Sequence, residues 1–245
     1  MLTDRDREVL GHFRQLVVSY SGGKDSTACL LWALETGLPV RAILADTGNE
    51  PSDTPDYVRY IEQITGVHVE VYSREGHTFD DIVTRRRMWP ICGSCLVSST
   101  VKRDDFRWYL KATSTPDNAL MILGQRRSES ESRAALPDFS PIVRSGLPAY
   151  RPLLDWSLDK VFRYLDAKGI MAHPAYAGGR KRVGCVWCVN SSADDYVRDE
   201  MLYPQRCAQL RALRTSIGLP SVPAGVRQDE LFGVQLCKYE SVHCE

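Results

Sequence analysis

The sequence predicts an α/β fold, an open and mostly parallel twisted sheet with helices on both faces and an irregular C-terminal segment that contains cysteines. Two observations lead to this class. Short apolar runs rich in strand-forming residues alternate along the chain with segments whose apolar residues recur at helical spacing. Most of the strand-like runs end at a Gly, Ser or Asp residue, which is typical of a strand that leads into a loop.

The elements follow in the order of strand–helix–strand units. A charged segment with interspersed apolar residues predicts a short amphipathic helix over residues 4–15. The next segments predict a strand at 16–20, a helix at 25–35, a strand at 40–45, a helix at 53–66 and a strand at 67–72. Beyond them we expect a strand at 120–124, a loop over 128–150, a helix at 157–168 and irregular chain over 171–192. Helices between successive strands are the connections that a parallel sheet needs.

Composition limits the class of protein. The chain has 245 residues, of which 43% are hydrophobic and 25% charged, as in globular proteins with a sizeable core. Its 31 basic residues balance 31 acidic ones, so net charge neither favours nor excludes a nucleic-acid partner. Basic clusters at 85–87 and 180–182 are compatible with a solvated face or with substrate contact. No long apolar run is present, so we expect a cytoplasmic protein without a membrane segment.

A glycine loop joins the first predicted strand to the helix that follows, with the sequence Ser21-Gly22-Gly23-Lys24-Asp25-Ser26. Glycines let backbone N–H groups approach an anion at the positive end of that helix. The serines add hydroxyl donors, Lys24 adds a positive charge, and Asp25 is placed to cap the helix or to contact a metal ion. The spacing is shorter than in the common NTPase phosphate loop. The pattern predicts a nucleotide-phosphate site, with an ordinary strand–helix turn as the alternative.

Four of the eight cysteines form two Cys-x-x-Cys pairs, Cys92 with Cys95 and Cys185 with Cys188. Each pair directs two thiolates to one ion or cluster, so together they match a four-sulfur site. Four sulfur ligands are compatible with an iron–sulfur cluster and with zinc. Reduced, merely buried cysteines and a redox-active pair are the alternatives.

The glycine loop resembles the PP-loop of ATP pyrophosphatases, which split ATP between the α and β phosphates and adenylate a substrate oxygen. Three further segments narrow the resemblance to the branch of the PAPS and APS reductases. They begin at Asp46, Gly124 and Arg151 and read DTGNE, GQRRSESESR and RPLLDW. The motifs span about residues 16–192. The resemblance implies an adenine nucleotide α hydrolase-like fold with an adenine nucleotide on the loop.

The positions of these motifs, together with the resemblance, predict a nucleotide site. Asp46 follows the second strand, at the sheet edge where open α/β folds bind ligands. The arginines after Gly124 supply guanidinium groups suited to phosphate or sulfate oxygens. The predicted ligands are ATP and Mg²⁺, which would bridge the phosphates. The predicted nucleotide-binding residues are Ser19, Ser21, Gly22, Gly23, Lys24, Asp25, Ser26, Asp46, Gly124, Arg126 and Arg127, and the predicted catalytic residues are Lys24, Asp25, Arg126 and Arg133.

The resemblance also assigns the paired cysteines. APS reductases hold a [4Fe–4S] cluster with two cysteines before the Gly124-type segment and a Cys-x-x-Cys pair after the tryptophan helix. Cys92, Cys95, Cys185 and Cys188 occupy these places in order, although the first two are adjacent in those reductases. The resemblance therefore implies a [4Fe–4S] cluster, with zinc as the alternative. Cys244 lies near the C-terminus, where such reductases carry a catalytic cysteine, in a tail only loosely similar to theirs.

These motifs are compatible with three functions. The first is an ATP pyrophosphatase that adenylates a substrate for sulfur insertion, as in DNA phosphorothioation or another nucleic-acid thiolation, with a cysteine desulfurase as partner. The second is a thiol-dependent PAPS or APS reductase that thioredoxin resets, and the third is a nucleotide-binding metal-cluster sensor. We expect a homo-oligomer whose chain has a nucleotide-binding domain with the metal centre over residues 1–192 and a C-terminal extension over 193–245.

Overall fold

The computed structural model describes residues 2–91 and 95–220, in which six strands form one sheet. The strands are β1 (Gln15–Tyr20), β2 (Val40–Ala45), β3 (Val69–Tyr72), β4 (Ala119–Ile122), β5 (Phe139–Ser140) and β6 (Ala149–Tyr150). Their order across the sheet is β3-β2-β1-β4-β6-β5. Neighbouring strands are parallel except for β5, which runs antiparallel to β6 at the edge.

Helices connect and flank these strands. The α-helices are α1 (Asp4–Leu10), α2 (Lys24–Glu35), α3 (Thr54–Thr65), α4 (Phe79–Arg86), α5 (Phe106–Thr113), α6 (Glu131–Ala134), α7 (Leu158–Ala167), α8 (Pro174–Ala177), α9 (Ala193–Leu202) and α10 (Pro204–Ser216). A π-helical segment, Ser98–Asp105, runs directly into α5, and a 3₁₀ turn covers Arg127–Glu129. None of the described helices combines the length and the apolar character that crossing a membrane requires.

The central strand β1 is buried on both faces of the sheet. Leu16 and Val18 pack in one core with side chains of α2, α3 and α7, whereas Val17 packs in a second core with side chains of α5. Neighbouring residues of a strand point to opposite faces, which explains why consecutive residues enter different cores. The predicted α/β class, with helices on both faces of a mostly parallel sheet, is confirmed.

The order of the strands creates a crevice between β1 and β4. From β1 the chain moves outward to β2 and β3, and β4 then adds to the opposite side of β1. The chain after β1 therefore leads to one side of the sheet and the chain after β4 to the other, which is the kind of point at the carboxyl edge where open α/β folds bind ligands. The glycine loop follows β1 and Gly124 follows β4, so both predicted segments lie at this crevice.

A third core lies outside the sheet and holds the segment with the second cysteine pair. Val186 and Trp187 pack there with side chains of α4 and α10. A buried ion pair joins Arg180 Nε to Asp199 Oδ1 on α9 at 3.2 Å. The other oxygen of Asp199 accepts the backbone N–H of Trp187 at 2.7 Å. The two C-terminal helices therefore help to hold this segment, and the domain division at residue 192 stays a prediction.

Several local features differ from the expectation. The first helix ends at Leu10, because Gly11 closes it although the apolar pattern continues to Phe13. The predicted loop over 128–150 contains β5 and β6, which take their hydrogen bonds from neighbouring strands and are too short to leave a periodic pattern. The segment predicted to be irregular, 171–192, contains the one-turn helix α8 at Pro174–Ala177, whereas residues 178–192 contain neither helix nor strand.

Candidate nucleotide-binding site and cysteine cluster

The glycine loop between β1 and α2 closes on itself. Gly22 has φ +75°, in the left-handed region that side chains rarely adopt. Gly23 is the N-cap of α2, and its carbonyl oxygen accepts the hydroxyl of Ser26 at 3.0 Å. Ser26 Oγ in turn accepts the backbone N–H of Ser21 at 3.1 Å. This closure holds the loop across the first turn of α2, where the positive end of the helix dipole favours an anion.

The end of β4 touches the first turn of α2. A Cβ atom on Gly124 would lie 2.9 Å from the backbone carbonyl carbon of Asp25 and 3.0 Å from the backbone nitrogen of Ser26. Such distances are too short for any side chain, so the contact requires glycine. Gly124 therefore contributes to the site by letting two loops of the crevice pack backbone against backbone.

Buried charges link the loop to the segment after β4. Lys24 and Arg126 are each 5% exposed, and both contact the carboxylate of Asp25, at 2.9 Å from Lys24 Nζ and 2.7 Å from Arg126 Nε. The backbone N–H of Arg126 donates to Glu129 at 2.7 Å, and Glu129 pairs with Arg133. The network gathers three cationic side chains and two carboxylates beside the loop, so positive charge exceeds negative charge by one.

A cavity of about 280 Å³ opens at the crevice. The predicted site residues in its wall are Ser19, Ser21, Gly23, Lys24, Asp25, Ser26, Gly124, Arg133, Cys185 and Cys188. The wall therefore joins the glycine loop to the second cysteine pair, which the sequence could not place together by spacing alone.

Four predicted nucleotide-binding residues do not contribute to the wall: Gly22, Asp46, Arg126 and Arg127. Arg126 reaches the cavity only through its ion pair with Asp25. Arg127 pairs with Asp155 at 2.8 Å and donates to two carbonyl oxygens of the following loop, so it braces that loop. Direct contact of these four residues with a nucleotide stays a prediction.

Asp46 is hydrogen-bonded to Glu50, which lines the cavity. Burial raises the pKa of Asp46 to about 6, and the hydrogen bond with Glu50 adds to the shift. Burial opposes ionisation of Glu50, but the Lys102 ammonium and the hydrogen bonds from Asp46 and Thr47 lower the pKa of Glu50 below its usual value. Of the two carboxyl groups, Glu50 therefore ionises at the lower pH, and it lies 3.4 Å from Lys102 Nζ.

The described cysteines of the predicted metal centre meet beside this cavity. Cys95, Cys185 and Cys188 line one smaller cavity next to the larger one. Cys92 and Cys244 lie outside the described residues. Within residues 2–91 and 95–220, no three His, Cys, Asp or Glu side chains are arranged as a metal-ion site. The four-cysteine centre stays a prediction.

Each of the three sulfur atoms accepts a hydrogen bond from nitrogen. Cys95 Sγ accepts the backbone N–H of Ser98 at 3.4 Å. The Sγ atoms of the second pair accept from charged side chains: Cys185 from Lys102 at 4.0 Å and Cys188 from Arg182 at 3.5 Å. Cationic donors stabilise negative charge on sulfur, which is what thiolate ligands require.

Sequence reasoning left several cavity residues out of the predicted site, among them Glu50, Lys102, Tyr176 and Arg182. Two of these residues belong to features that the sequence analysis identified: Glu50 ends the DTGNE motif, and Arg182 is part of a basic cluster. Lys102 lies in the π-helical segment, and its place in the cavity depends on how that segment packs. Tyr176 lies on α8, far from the loop in sequence.

The wall of the cavity suits an anionic ligand such as a phosphate or sulfate ester. A helix N-terminus and the ammonium and guanidinium groups of Lys24, Arg133 and Arg182 face the same space. The carboxylate of Glu50 could share a divalent cation with phosphate oxygens. The sulfur atoms of Cys185 and Cys188 lie in the same wall, so sulfur chemistry has access to a ligand bound on the loop.

Relatives of known sequence are similar at low identity. The 37.8 kDa protein of the gpa 5' region of Escherichia phage 186 is 27% identical over 242 residues, covering 79% of this chain and 72% of the phage protein. The adenosine 5'-phosphosulfate reductase of Allochromatium vinosum is 26% identical over 154 residues and covers 63% of this chain. The chain spans only 60% of the length of that reductase.

Solved structures share the fold. The phosphoadenylyl-sulfate reductase of Candida auris, a phosphate complex, has a TM-score of 0.56 and 17% identity, covering 76% of this chain and 96% of that one. The U34-tRNA thiolase NcsA of Methanococcus maripaludis, solved with its [4Fe–4S] cluster, has a TM-score of 0.52 and 14% identity, covering 96% of this chain and 83% of the thiolase. At such identities the likeness concerns the fold alone.

A family model identifies the chain at the level of sequence. The model of the phosphoadenosine phosphosulfate reductase domain matches residues 15–191, from the start of β1 to just beyond the second cysteine pair. This range contains the sheet, the glycine loop and the whole wall of the cavity. The chain therefore belongs to the phosphoadenosine phosphosulfate reductase domain family and is an enzyme of the PP-loop, sulfur-transfer type.

Proposed function

We propose that this protein is an ATP pyrophosphatase that adenylates an oxygen atom of a nucleic acid so that sulfur can replace it. The observation that carries the proposal is the composition of one cavity wall. Lys24, Asp25 and Ser26 of the PP-loop share it with Cys185 and Cys188. A nucleotide on the loop would lie beside sulfur atoms, as activation followed by sulfur insertion requires. DNA phosphorothioation and other nucleic-acid thiolations belong to this chemistry.

The residues of the cavity fit Mg²⁺ and ATP. The backbone at the start of α2, Lys24 and Arg133 offer donors and positive charge to phosphate oxygens. Mg²⁺ is commonly held by one or two carboxylates together with phosphate oxygens, and Asp25 and Glu50 supply carboxylates in the wall. A Mg²⁺ ion bound there would neutralise charge on the departing pyrophosphate.

The proposed reaction has two displacements. The substrate oxygen attacks the α phosphorus, the bond from that phosphorus to the α,β-bridging oxygen breaks, and pyrophosphate leaves. Lys24 and Arg133 stabilise the negative charge that develops on the phosphate oxygens. A sulfur nucleophile then bonds to the substrate atom that carried the adenylated oxygen, and AMP departs with that oxygen. A cysteine desulfurase would be the source of this sulfur.

The side chains at the cysteine end of the cavity are of the kind that binds an iron–sulfur or zinc centre. Cys95, Cys185 and Cys188 would be ligands, with Cys92 as the fourth. Lys102 and Arg182, which donate to two of these sulfur atoms, would offset the charge of the thiolates. The fold shared with a thiolase that holds a [4Fe–4S] cluster supports iron and sulfur in preference to zinc. Zinc would suit the same four sulfur ligands.

Pyrophosphate release tests the function. With Mg²⁺, a nucleic acid and a sulfur donor, the protein should release pyrophosphate from ATP, and Lys24→Ala should abolish the release because the buried ammonium is lost. Lys160→Ala, which removes an exposed lysine of α7, is the matched control and should retain activity. Intact ATP after prolonged incubation with DNA and with tRNA would contradict the proposal.

A PAPS or APS reductase is the second candidate, and the similarity to the Allochromatium reductase favours it. In that reaction a thiol attacks the sulfur of an adenylyl sulfate, thioredoxin later reduces the enzyme, and ATP is not cleaved. Sulfite release from adenylyl sulfates, measured beside pyrophosphate release from ATP, separates the two functions. Sulfite without pyrophosphate would establish the reductase instead.

Metal analysis tests the cysteine centre. Protein purified without oxygen should be brown and contain about four iron atoms per chain. Cys185→Ser should lose the iron, whereas Cys29→Ser, which alters a buried cysteine of α2, should retain it. Colourless protein with a single zinc ion would overturn the assignment of an iron–sulfur cluster.

A further inference from the structure

The hydroxyl group of Tyr176 lies at the start of α2. It accepts the backbone N–H of Lys24 at 3.0 Å, and a Cβ atom on Gly23 would lie 3.4 Å from it. The side chain lines the cavity, and Lys24 Nζ lies 5.4 Å from the centre of its ring. The phenol oxygen therefore lies next to the N–H groups of the PP-loop, where an anion bound by the loop would also lie.

The proton of this hydroxyl is available to a ligand. The phenol oxygen accepts from Lys24, and the backbone of Val183 acts on it as a second donor. Burial nevertheless raises the pKa of Tyr176, so the phenol keeps its proton at neutral pH. In the part of the chain that the structure describes, the Tyr176 hydroxyl donates to no protein atom. An oxygen that accepts from N–H groups still has one proton to give.

His173 caps α8, the helix that carries Tyr176. The imidazole is 1% exposed, and its Nδ1 accepts the N–H of Ala175 in α8 at 3.1 Å. Nε2 therefore carries the ring proton and donates to Thr54 Oγ1 at 3.2 Å. The ring of Phe162 packs edge-on against Tyr176, with centroids 5.8 Å apart. The buried cap holds the helix and Phe162 contacts the ring, so the Tyr176 side chain loses little freedom when a ligand binds.

We propose that Tyr176 binds phosphate: its hydroxyl donates a hydrogen bond to a phosphate oxygen of the adenine nucleotide on the PP-loop while it accepts the N–H of Lys24. The inference rests on the proposed function, because it needs an adenine nucleotide at this loop. ATP and adenylyl sulfates both carry a phosphate on the ribose 5' oxygen, so the contact serves either ligand. Through α8 the contact also connects the bound phosphate to the chain that leads to Cys185.

Tyr176→Phe removes the hydroxyl and keeps the ring. Tyr164→Phe is the matched control, since the Tyr164 hydroxyl donates to Glu35 at 2.8 Å and is absent from the cavity wall. Isothermal titration calorimetry would measure the dissociation constants of ATP, adenosine 5'-phosphosulfate and adenosine for the wild type and both variants. We expect Tyr176→Phe to weaken binding of the phosphate-bearing ligand about tenfold to a hundredfold, because the acceptor is charged. Adenosine should bind all three proteins alike.

Three outcomes would overturn the inference. Unchanged affinity of Tyr176→Phe for the nucleotide would exclude the hydrogen bond. Tighter binding would mean that the hydroxyl competes with phosphate for the N–H of Lys24. If Tyr176→Phe weakens the binding of adenosine as much as that of the nucleotide, Tyr176 has a structural role. If adenosine binds too weakly to measure, a lowered unfolding temperature of Tyr176→Phe without ligand would lead to the same conclusion.

The same titrations separate this inference from the proposed function. If the wild type binds adenosine 5'-phosphosulfate but not ATP, the pyrophosphatase function fails and the comparison with Tyr176→Phe is made with the sulfate ester. If the wild type binds neither ligand, both the function and the inference fail. If the wild type binds ATP and Tyr176→Phe, but not Tyr164→Phe, binds it more weakly, both the function and the inference are supported.

Discussion

The PP-loop and the cysteine end of the cavity share one wall but are built in different ways. The loop is a run of neighbouring residues, 21–26, closed by hydrogen bonds between its own atoms. The cysteine end combines Cys95 with a segment about ninety residues away, held by a separate core and by the buried pair of Arg180 and Asp199. The loop thus depends on local geometry, whereas the cysteine end depends on packing between distant parts of the chain.

Neutralising Asp199 should produce the largest effect and tests the dependence of the cysteine end on distant packing. Asp199→Asn keeps an acceptor for the N–H of Trp187 but leaves the charge of Arg180 buried without its partner, which costs about 3 kcal/mol or more. Urea unfolding at neutral pH measures the loss. Asp159→Asn breaks an exposed pair on α7 and should cost under about 0.5 kcal/mol. Equal losses in both variants would show that the buried pair is not needed.

A methyl group at Gly124 should disturb the loop next most strongly. Gly124→Ala places a Cβ atom within 3.0 Å of the backbone of Asp25 and Ser26, so the first turn of α2 must shift, at a cost of about 1 to 3 kcal/mol. ATP binding should weaken in parallel, measured by calorimetry. Gly11→Ala is the control, because the added atom would meet its nearest neighbour at 3.4 Å in a helical backbone. Full ATP affinity in Gly124→Ala would contradict the proposed rigidity of this contact.

Two arginines of the segment after β4 should differ in their effect on nucleotide affinity. Arg133 lines the cavity, so Arg133→Ala should weaken ATP binding about tenfold through loss of a charged hydrogen bond. Arg127 is engaged by Asp155 outside the wall, so Arg127→Ala should change the affinity less than about twofold. Equal losses would mean that Arg127 turns toward the nucleotide on binding, as the sequence motif predicts.

The pH dependence of stability tests the support behind Tyr176, and its effect should be the smallest. Burial lowers the pKa of His173, although Asp53 opposes the shift. His173 therefore binds a proton less readily in the folded protein than in the unfolded chain, where a histidine has a pKa of about 6.5. The contribution of His173 to stability should be full above that pH and fall as the pH decreases through it, by at most about 1.4 kcal/mol per pH unit.

Thermal unfolding between about pH 8 and about pH 5 measures this loss. His173→Gln should make the unfolding temperature depend less on pH, whereas His68→Gln, at an exposed histidine, should leave the pH dependence unchanged. A slope unchanged by His173→Gln would show that another group is responsible.

The sequence predicted those parts of the molecule that depend on local pattern. Strands β1, β2, β3 and β4 and helices α2, α3 and α7 lie close to their expected positions, because each carries its own periodic apolar residues. The PP-loop was found for the same reason, since its residue types, its strand and its helix are adjacent in the chain.

Features created by tertiary packing were not predicted. The position of Lys102 arises in a π-helical segment, whose extra residue per turn leaves no sequence pattern. Tyr176 meets Lys24 across more than a hundred residues of chain, through a helix of one turn. Asp46 and Glu50 stand in one motif, and only their surroundings in the folded protein decide which of the two ionises at the lower pH.

The backbone contact at Gly124 has a mechanical consequence. Because β4 and α2 meet there without an intervening side chain, no rotamer can absorb a displacement between them. If a bound substrate displaces the arginine segment after β4, the first turn of α2 would therefore move with it. If a bound phosphate displaces that turn, the arginines would move in the same way. We therefore expect a ligand on one side of the crevice to shift groups on the other side through this backbone contact.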